Sequence, residues 1–193
     1  MPTTKQTKRS PKKAQPVVPM ELDGRIPPQA PDFEEAVLGA ILLEKDAYAR
    51  VSEKIRPETF YVKAHELIYT AMVTLAMAQQ PIDMLTVTEE LRRMGVLEEV
   101  GDASYIAGLT TKVMSTGSLE AHADILYNKA LSRRLIGMAS TTLKGAYDDI
   151  IDIQEQIQQA EGSLFEIAQQ NSTRDFVPIN PLVKGAINEM QVA

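Results

Sequence analysis

Residues 150–169 read IIDIQEQIQQAEGSLFEIAQ, and this stretch carries the most informative local pattern of the sequence. Its aliphatic side chains recur at intervals of 3, 4, 3, 4 and 3 residues. That spacing is a heptad seam, which is typical of a helix that packs along another helix at a shallow angle. Most positions between them are polar, so the helix carries one narrow apolar ridge. The ridge residues are Ile150, Ile153, Ile157, Ala160, Leu164 and Ile167.

The preceding stretch, LEAHADILYNKALSRRLIGMASTTLKGAY at 119–147, is predicted to be the longest helix of the chain. Nothing breaks its helical pattern for roughly eight turns. Asp148 and Asp149 then provide a short acidic turn. The two helices are therefore predicted to form an antiparallel hairpin.

Pairing within this hairpin is expected to cover most of the area of the seam. However, the apolar residues of the first helix are spread too widely for a single stripe, and a projecting hairpin cannot bury both faces internally. The pattern therefore favours self-association into a homo-oligomer. The residues assigned to the seam and to self-association are Leu131, Leu135 and Met138 of the first helix and the six ridge residues of the second.

Helical signals also dominate the sequence before the hairpin, almost without strand-like alternation. Capping boxes are predicted at Asp32 with Glu35 and at Thr86 with Glu89, and Gly95 occupies a position typical of a left-handed helix end. The predicted class is all-α: a small multi-helix orthogonal bundle over residues 25–117, followed by the long antiparallel hairpin over residues 118–170.

Both ends of the chain differ from this body. Five basic residues and no acidic residue fall within the first twenty positions, so residues 1–24 are expected to form a disordered basic tail. Residues 21–193 carry 15 bases against 26 acids, a net charge of −11. Residues 171–193 are predicted to be a linker and the start of a further helix. Because the sequence ends before this helix is complete, we expect the chain to be part of a longer parent protein. The apolar residues of that helix are Leu182, Val183 and Ile187.

The composition of the chain argues against a catalytic or metal-binding site. There is no cysteine, the only histidines are His65 and His122, and no phosphate-binding loop is present because no Gly-Lys pair exists. We expect no catalytic, cofactor-binding or metal-ligating residues here. The sequence also lacks a signal peptide and any run of eighteen apolar residues, so a cytoplasmic protein with no membrane partner is expected.

Arg133 and Arg134 form an adjacent basic pair in the middle of the longest helix. They could dock an acidic partner or a phosphate. Acids such as Glu120 and Asp124 also lie near enough for ordinary surface pairing. The sequence leaves both alternatives open.

Adjacent acids such as Glu34 and Glu35 are expected to be solvated, because neighbouring residues of a helix point about 100° apart. His65, close to the start of a helix, is expected to pack rather than to act as a base. Tyr105 is expected at a partly exposed rim.

Short stretches in one unbroken order carry a family likeness over residues 25–190. They are Arg25-Ile26-Pro27-Pro28-Gln29, Glu35-Ala36-Val37-Leu38-Gly39, Phe60-Tyr61 with His65, Pro81-Ile82-Asp83 with Thr86 and Leu91, Gly95, Val100-Gly101 with Tyr105, and, in the hairpin, Ala123, Ile125, Lys129, Ala130, Arg133, Arg134, Leu135 and Ile136. Together they closely resemble the N-terminal domain of bacterial replicative DNA helicases of the DnaB type.

The resemblance implies a collar of paired domains in a hexamer. It also implies that residues 178–193 begin the linker helix to a motor domain that uses ATP and magnesium and moves on single-stranded DNA. Primase is the implied partner, and a helicase loader is a further candidate. The positions matching the primase-docking surface are Asp32, Tyr105, Ile136 and Thr142.

The sequence therefore favours an assembly and primase-recruiting domain whose full-length parent unwinds duplex DNA with ATP. The alternative is a stand-alone helical adaptor, or a weak nucleic-acid-binding protein that uses the basic tail. The acidic charge of residues 21–193 argues against DNA contact by the globule itself.

Overall fold

The computed structural model describes residues 25–113, 116–147 and 152–172, and these ranges contain helices and no strands. The all-α class is confirmed. Turns of 3-10 helix occur at Pro57–Thr59 and Thr116–Ser118. The α-helices are α1 (Pro31–Leu43), α2 (Ala47–Val51), α3 (Lys63–Met77), α4 (Met84–Arg93), α5 (Leu97–Val100), α6 (Asp102–Thr111), α7 (Leu119–Ala146) and α8 (Ile153–Ser172).

Helix α1 lies at the centre of the globule, in contact with α3, α6 and α7. Val37, Leu38, Ala40 and Ile41 are all buried, so the helix is apolar on every side over these two turns. Its neighbours complete one continuous core. The largest side chains of that core include Ile68, Tyr69, Met72, Leu91, Ile106, Leu109, Leu119 and Leu126.

Gly39 sets the close approach of α1 to α6. A Cβ at this position would collide with the main-chain oxygen of Leu109 and with a methyl group of Val113. The backbone of α6 cannot retreat without opening the core around Leu109. A side chain at residue 39 is therefore excluded by packing.

Several helix ends differ from the predicted ones. Helix α1 begins at Pro31, where the fixed backbone of proline suits a first helical position, and its N-cap makes no side-chain hydrogen bond. The predicted capping role of Asp32 is therefore wrong.

The capping box of α4 lies three residues earlier than predicted. The Asp83 carboxylate accepts hydrogen bonds from the Leu85 and Thr86 amides at 2.8 and 2.9 Å, and the Thr86 hydroxyl accepts one from the Asp83 amide at 3.0 Å.

The left-handed helix end at Gly95 is confirmed, because its φ is +74°. The short helix α5 was not predicted. It spans only Leu97–Val100 and ends at Gly101, which also has a positive φ. One turn is too short for a periodic pattern to reveal it.

Helix α7 is shared between the globule and the hairpin. Leu119, Ala123, Leu126 and Ala130 are buried against the globule, through contacts with α1, α2 and the first 3-10 turn. The C-terminal half of α7 packs against α8. The two predicted hairpin helices are thus present and in contact.

The side of α8 that faces α7 differs from the predicted one. Gln156 is buried, and its amide donates to the main-chain oxygen of Thr142 at 2.7 Å. Beside this contact, Ala160 is the ridge residue that lines the space between α7 and α8, whereas the larger ridge residues Ile153, Ile157 and Leu164 lie to one side. The expectation that α7 covers most of the ridge is therefore wrong: Ile153, Ile157 and Leu164 remain 56%, 46% and 50% exposed.

Some predictions fall outside the described residues. These are the basic tail at 1–24, the acidic turn with Ile150, and the linker-helix residues Leu182, Val183 and Ile187. In the described ranges no helix is long and apolar enough to cross a membrane.

We expect Gly39→Ala to lower the free energy of unfolding by about 1–3 kcal/mol, because the added methyl group overpacks the α1–α6 contact. Urea denaturation measures the change. Gly108→Ala in α6 is the matched control, because a Cβ there meets nothing within 4 Å. The control should be neutral or stabilising by up to about 1 kcal/mol, as alanine favours helix. Equal effects at the two glycines would contradict the packing argument.

Candidate protein interface

Glu34 is a fully buried acid in the first turns of α1. Its carboxylate accepts hydrogen bonds from the main-chain amides of Tyr61 and Val62 at 2.7 and 3.2 Å. It also accepts from Nδ1 of His65 at 2.7 Å. The acid therefore lies at the N-terminus of α3, where the helix dipole favours a negative charge. The expectation that Glu34 is solvated is wrong, because the carboxylate replaces its water with these donors.

His65 connects this acid to the surface. Since a carboxylate only accepts, the ring hydrogen that points to Glu34 lies on Nδ1. The other ring nitrogen, Nε2, is 2.7 Å from the hydroxyl of Tyr105. The two rings also stack, with centroids 6.2 Å apart. His65 is thus a buried packing residue, as expected, and it holds a second aromatic ring in place.

Tyr105 is half-buried at the outer end of this chain of contacts. Burial raises the pKa of its hydroxyl, and the nearby charge of Glu35 raises that pKa further. Glu35 itself pairs with Lys112 at 2.7 Å. The Tyr105 ring is therefore fixed on one side by His65 and bordered on the other by an ion pair, while part of it remains accessible.

Arg133 joins the hairpin to the globule. Its guanidinium donates to the main-chain oxygens of Pro28 and Thr59 at 2.8 and 2.6 Å, and it lies 5.7 Å from the centre of the Tyr61 ring. Burial lowers the pKa of Arg133, and the charges of Glu34 and Tyr61 act in the opposite direction. Arg133 therefore pairs with main-chain carbonyl groups and not with the surface acids Glu120 and Asp124.

Glu120 and Asp124, the predicted surface partners of Arg133 and Arg134, are paired with other cations. Glu120 accepts from Arg50 at 2.6 and 3.0 Å, which lowers the pKa of Glu120 to about 2. Asp124 pairs with Lys54 at 2.7 Å. Both pairs join α7 to the region around α2, and both are partly exposed.

The four candidate docking residues fall into two groups. Asp32 is exposed in the first turn of α1, one turn before the Glu35 that borders Tyr105. Ile136 and Thr142 are half-buried on α7, six positions apart, which places them about 120° apart around the helix. Thr142 lines the space between α7 and α8, so it faces the second hairpin helix.

An exposed apolar face follows the hairpin on both helices, and its members are between 46% and 84% exposed. A concentration of exposed apolar side chains on one element of a fold is typical of a protein-interaction site. Of the predicted seam, Leu135 belongs to this face, whereas Met138 faces α8 and Leu131 lines a pocket beside the first 3-10 turn. Phe165 was missed because it lies off the heptad positions. The members of this hairpin face are Leu135, Leu143, Tyr147, Ile153, Ile157, Leu164 and Phe165.

The described residues contain no group of three or more metal-ligating side chains. The described residues thus form a helical globule with an attached hairpin, and the hairpin carries exposed apolar side chains. The family model of the DnaB-like helicase N-terminal domain matches residues 26–128. This chain belongs to that family.

Relatives of this DnaB-type domain agree with the match. A replicative DNA helicase DnaB of Rhodothermus marinus is 39% identical over 168 residues, which are 87% of this chain and 18% of that protein. The crystal structure of the N-terminal domain of DnaB helicase from Mycobacterium tuberculosis superposes with a TM-score of 0.69 at 34% identity, over 74% of this chain and 99% of the other.

A second solved structure is that of a DnaB-like replicative helicase described with its interactions with primase. It has a TM-score of 0.62 and 25% identity, over 83% of this chain and 36% of the other. This chain therefore spans a fifth to about a third of the length of such full helicases.

We expect Glu34→Ala to destabilise the domain by about 3–5 kcal/mol, because the change leaves two amides and a buried imidazole without their acceptor. Chemical denaturation with circular dichroism measures this loss. Glu53→Ala, at an exposed position before the first 3-10 turn, should change stability by no more than about 0.5 kcal/mol. If Glu34→Ala left the free energy of unfolding unchanged, the hydrogen bonds of Glu34 would not be needed for the stability of the fold.

Proposed function

We propose that this chain is the assembly and primase-recruiting domain of a replicative DNA helicase. The observation that carries the proposal is the unburied apolar face of the hairpin, attached to a globule of the DnaB-like family. The domain acts by forming interfaces. The same architecture offers one surface for a second copy of the chain and another for a different protein.

Self-association is proposed through the hairpin face. Exposed aliphatic and aromatic side chains on both helices gain free energy when another apolar surface covers them, at about 25 cal/mol for each Å² removed from water. Few charges interrupt α8, where glutamine dominates the polar positions near Gln154, Gln158 and Gln159. A second hairpin supplies a surface of the same kind, so a two-fold symmetric dimer is the simplest assembly. In the parent we expect such dimers to build a hexamer.

Primase docking is proposed at the globule, with α7 contributing. The structurally similar helicase described with primase supports a partner of this kind. Tyr105 is the best anchor because its ring is held by His65 before any partner arrives, which lowers the entropy lost on binding. Asp32, one turn before Glu35 on α1, and Ile136 on α7 are proposed as secondary contacts, whereas Thr142 is a weaker candidate because it faces α8.

The motor functions are proposed for the rest of the parent protein. ATP, magnesium and single-stranded DNA would bind outside this chain, which lacks a phosphate-binding loop, and a helicase loader is a further candidate partner. The full-length protein would use ATP to unwind duplex DNA in the cytoplasm. Residues 178–193, with Leu182, Val183 and Ile187, would begin the linker helix to that motor.

We expect Leu164→Asp combined with Ile157→Asp to convert the assembled chain to monomer, because two carboxylates would have to be desolvated in the interface. Light scattering at several concentrations measures the mass. Gln158→Asp adds an exposed charge to the same helix and should leave the assembly intact.

Circular dichroism of the double variant distinguishes a lost interface from an unfolded hairpin. A monomeric wild-type chain at high concentration would refute assembly through this face. A double variant that assembles like wild type would refute it as well.

We expect Tyr105→Ala to weaken the binding of the helicase-binding domain of the cognate primase by at least about tenfold, as for an aromatic hot spot. Isothermal titration calorimetry measures the affinity. Tyr105→Phe keeps the ring and should bind nearly as wild type.

Met77→Ala removes another exposed apolar side chain of the globule, one that is 82% exposed, and serves as the control. It should bind primase as wild type does. If Tyr105→Ala also bound as wild type, the docking surface would have to lie elsewhere.

A further inference from the structure

The contact between α7 and α8 is built mainly from small and polar residues. A space of about 180 Å³ lies between the two helices, and Met138 is the one large apolar side chain among the residues that line it. The heptad ridge therefore does not hold this hairpin together. The small and polar residues that line the space are Thr141, Thr142 and Gly145 of α7 and Gln156, Gln159, Ala160 and Ser163 of α8.

Gln156 is buried within this contact, whereas the large ridge residues next to it are exposed. Its side-chain amide donates to the main-chain oxygen of Thr142 at 2.7 Å. Gly145 makes room for that amide, because a Cβ at residue 145 would collide with it. A single buried polar residue in a helix–helix seam fixes which faces meet, at a cost in stability. Gln156 has the position and the hydrogen bond that such a role requires.

The rotation of α8 about its own axis follows from this contact. Successive residues of an α-helix are turned by about 100°. The exposed ridge residues Ile153, Ile157 and Leu164 therefore lie about 70° around α8 from the mean direction of the residues that line the space. This displacement is large enough to leave them about half exposed and small enough to keep them beside α7.

The exposed leucines of α7 lie on the same side of the hairpin as this ridge. Leu135 and Leu143 are turned by about 50° and 130°, in the same rotational sense, from the side of α7 that faces α8. The helices are antiparallel, since Gln156 lies beside Gly145 whereas Ile167 shares a cavity with Met138. In an antiparallel pair, equal senses of rotation lead to the same side. The two helices therefore present their apolar residues in one direction.

We propose that Gln156, seated against Gly145, is the positioning residue that selects the outward face of the hairpin. It holds α8 at the rotation that aligns the ridge with the exposed leucines of α7, so a second copy of the chain meets one two-helix surface. Without Gln156, α8 turns its aliphatic residues against α7 and the hairpin closes on itself. This inference rests on the proposed self-association and names the residue that makes it specific.

The first arm of the test measures assembly of the full 193-residue chain by sedimentation. We expect Gln156→Leu to raise the dissociation constant of assembly by at least about tenfold, because α8 withdraws its ridge from the face. Gln158→Leu makes the same change at an exposed position of α8 and should assemble as wild type does. Assembly of Gln156→Leu as tight as that of wild type would overturn the proposal.

The second arm measures the rotation of α8 directly. The chain has no cysteine, so a single introduced thiol reports on one position. At a concentration where the chain is monomeric, Ile157→Cys should react with a maleimide at least about threefold more slowly in the Gln156→Leu background. Gln158→Cys, about 100° further around the helix, should react at the same rate in both backgrounds. Faster reaction at both positions would show a loosened helix, which reduces Gln156 to a structural contact and overturns the proposal.

Gly145→Ala tests the same contact from α7, and it decides the question if Gln156→Leu does not fold. The added methyl group displaces the Gln156 amide, so we expect slower reaction at Ile157→Cys and weaker assembly. Gly137→Ala is the matched control on α7, because a Cβ there meets nothing within 4 Å. The arms fail separately: a wild-type chain that never assembles refutes the proposed self-association, whereas equal thiol rates refute the role of Gln156.

Discussion

The buried carboxylate of Glu34 is the interaction on which the globule depends. A charge removed from water costs several kcal/mol unless it is surrounded by donors. Here the donors come from the start of α3, and His65 relays the contact to α6 through Tyr105. One side chain of α1 thereby sets the relative positions of three helices. The charge of Glu34 also acts to raise the pKa of the Arg133 guanidinium, so its electrostatic effect extends to the base of the hairpin.

The two helices of the hairpin are held in place by different contacts from those of the globule. The first half of α7 is an ordinary core helix, and Arg133 ties it to main-chain oxygens of the globule. Beyond that point α8 is the main partner of α7 among the residues that the structure describes, and two helices cannot enclose all of their own apolar surface. The exposed hairpin face is the direct result. Exposed apolar surface of this kind suits the proposed assembly, in agreement with the place of the chain in a helicase family.

Much of the architecture could be predicted from local signals. The prolines at 57 and 81 and the glycine at 95 separate helices in the sequence and in the structure alike, because their backbone limits act locally. Capping was predicted less well. The carboxylate of Asp83 caps α4 in place of Thr86, and Asp32 caps nothing, since several residues near each helix start have a suitable side chain and the tertiary path of the chain selects one.

Local sequence patterns predict the helical class, the globule followed by a hairpin, and the residues that share a face of α8. Which element covers each face depends on the tertiary packing of the helices. The heptad spacing predicts that Ile153, Ile157 and Leu164 share one face of α8. The hydrogen bond from Gln156 to the main-chain oxygen of Thr142 places a different face of α8 against α7. Likewise, Glu34 is buried because His65, 31 positions away, reaches it. Such contacts depend on how distant segments meet, and local periodicity carries no information about that meeting.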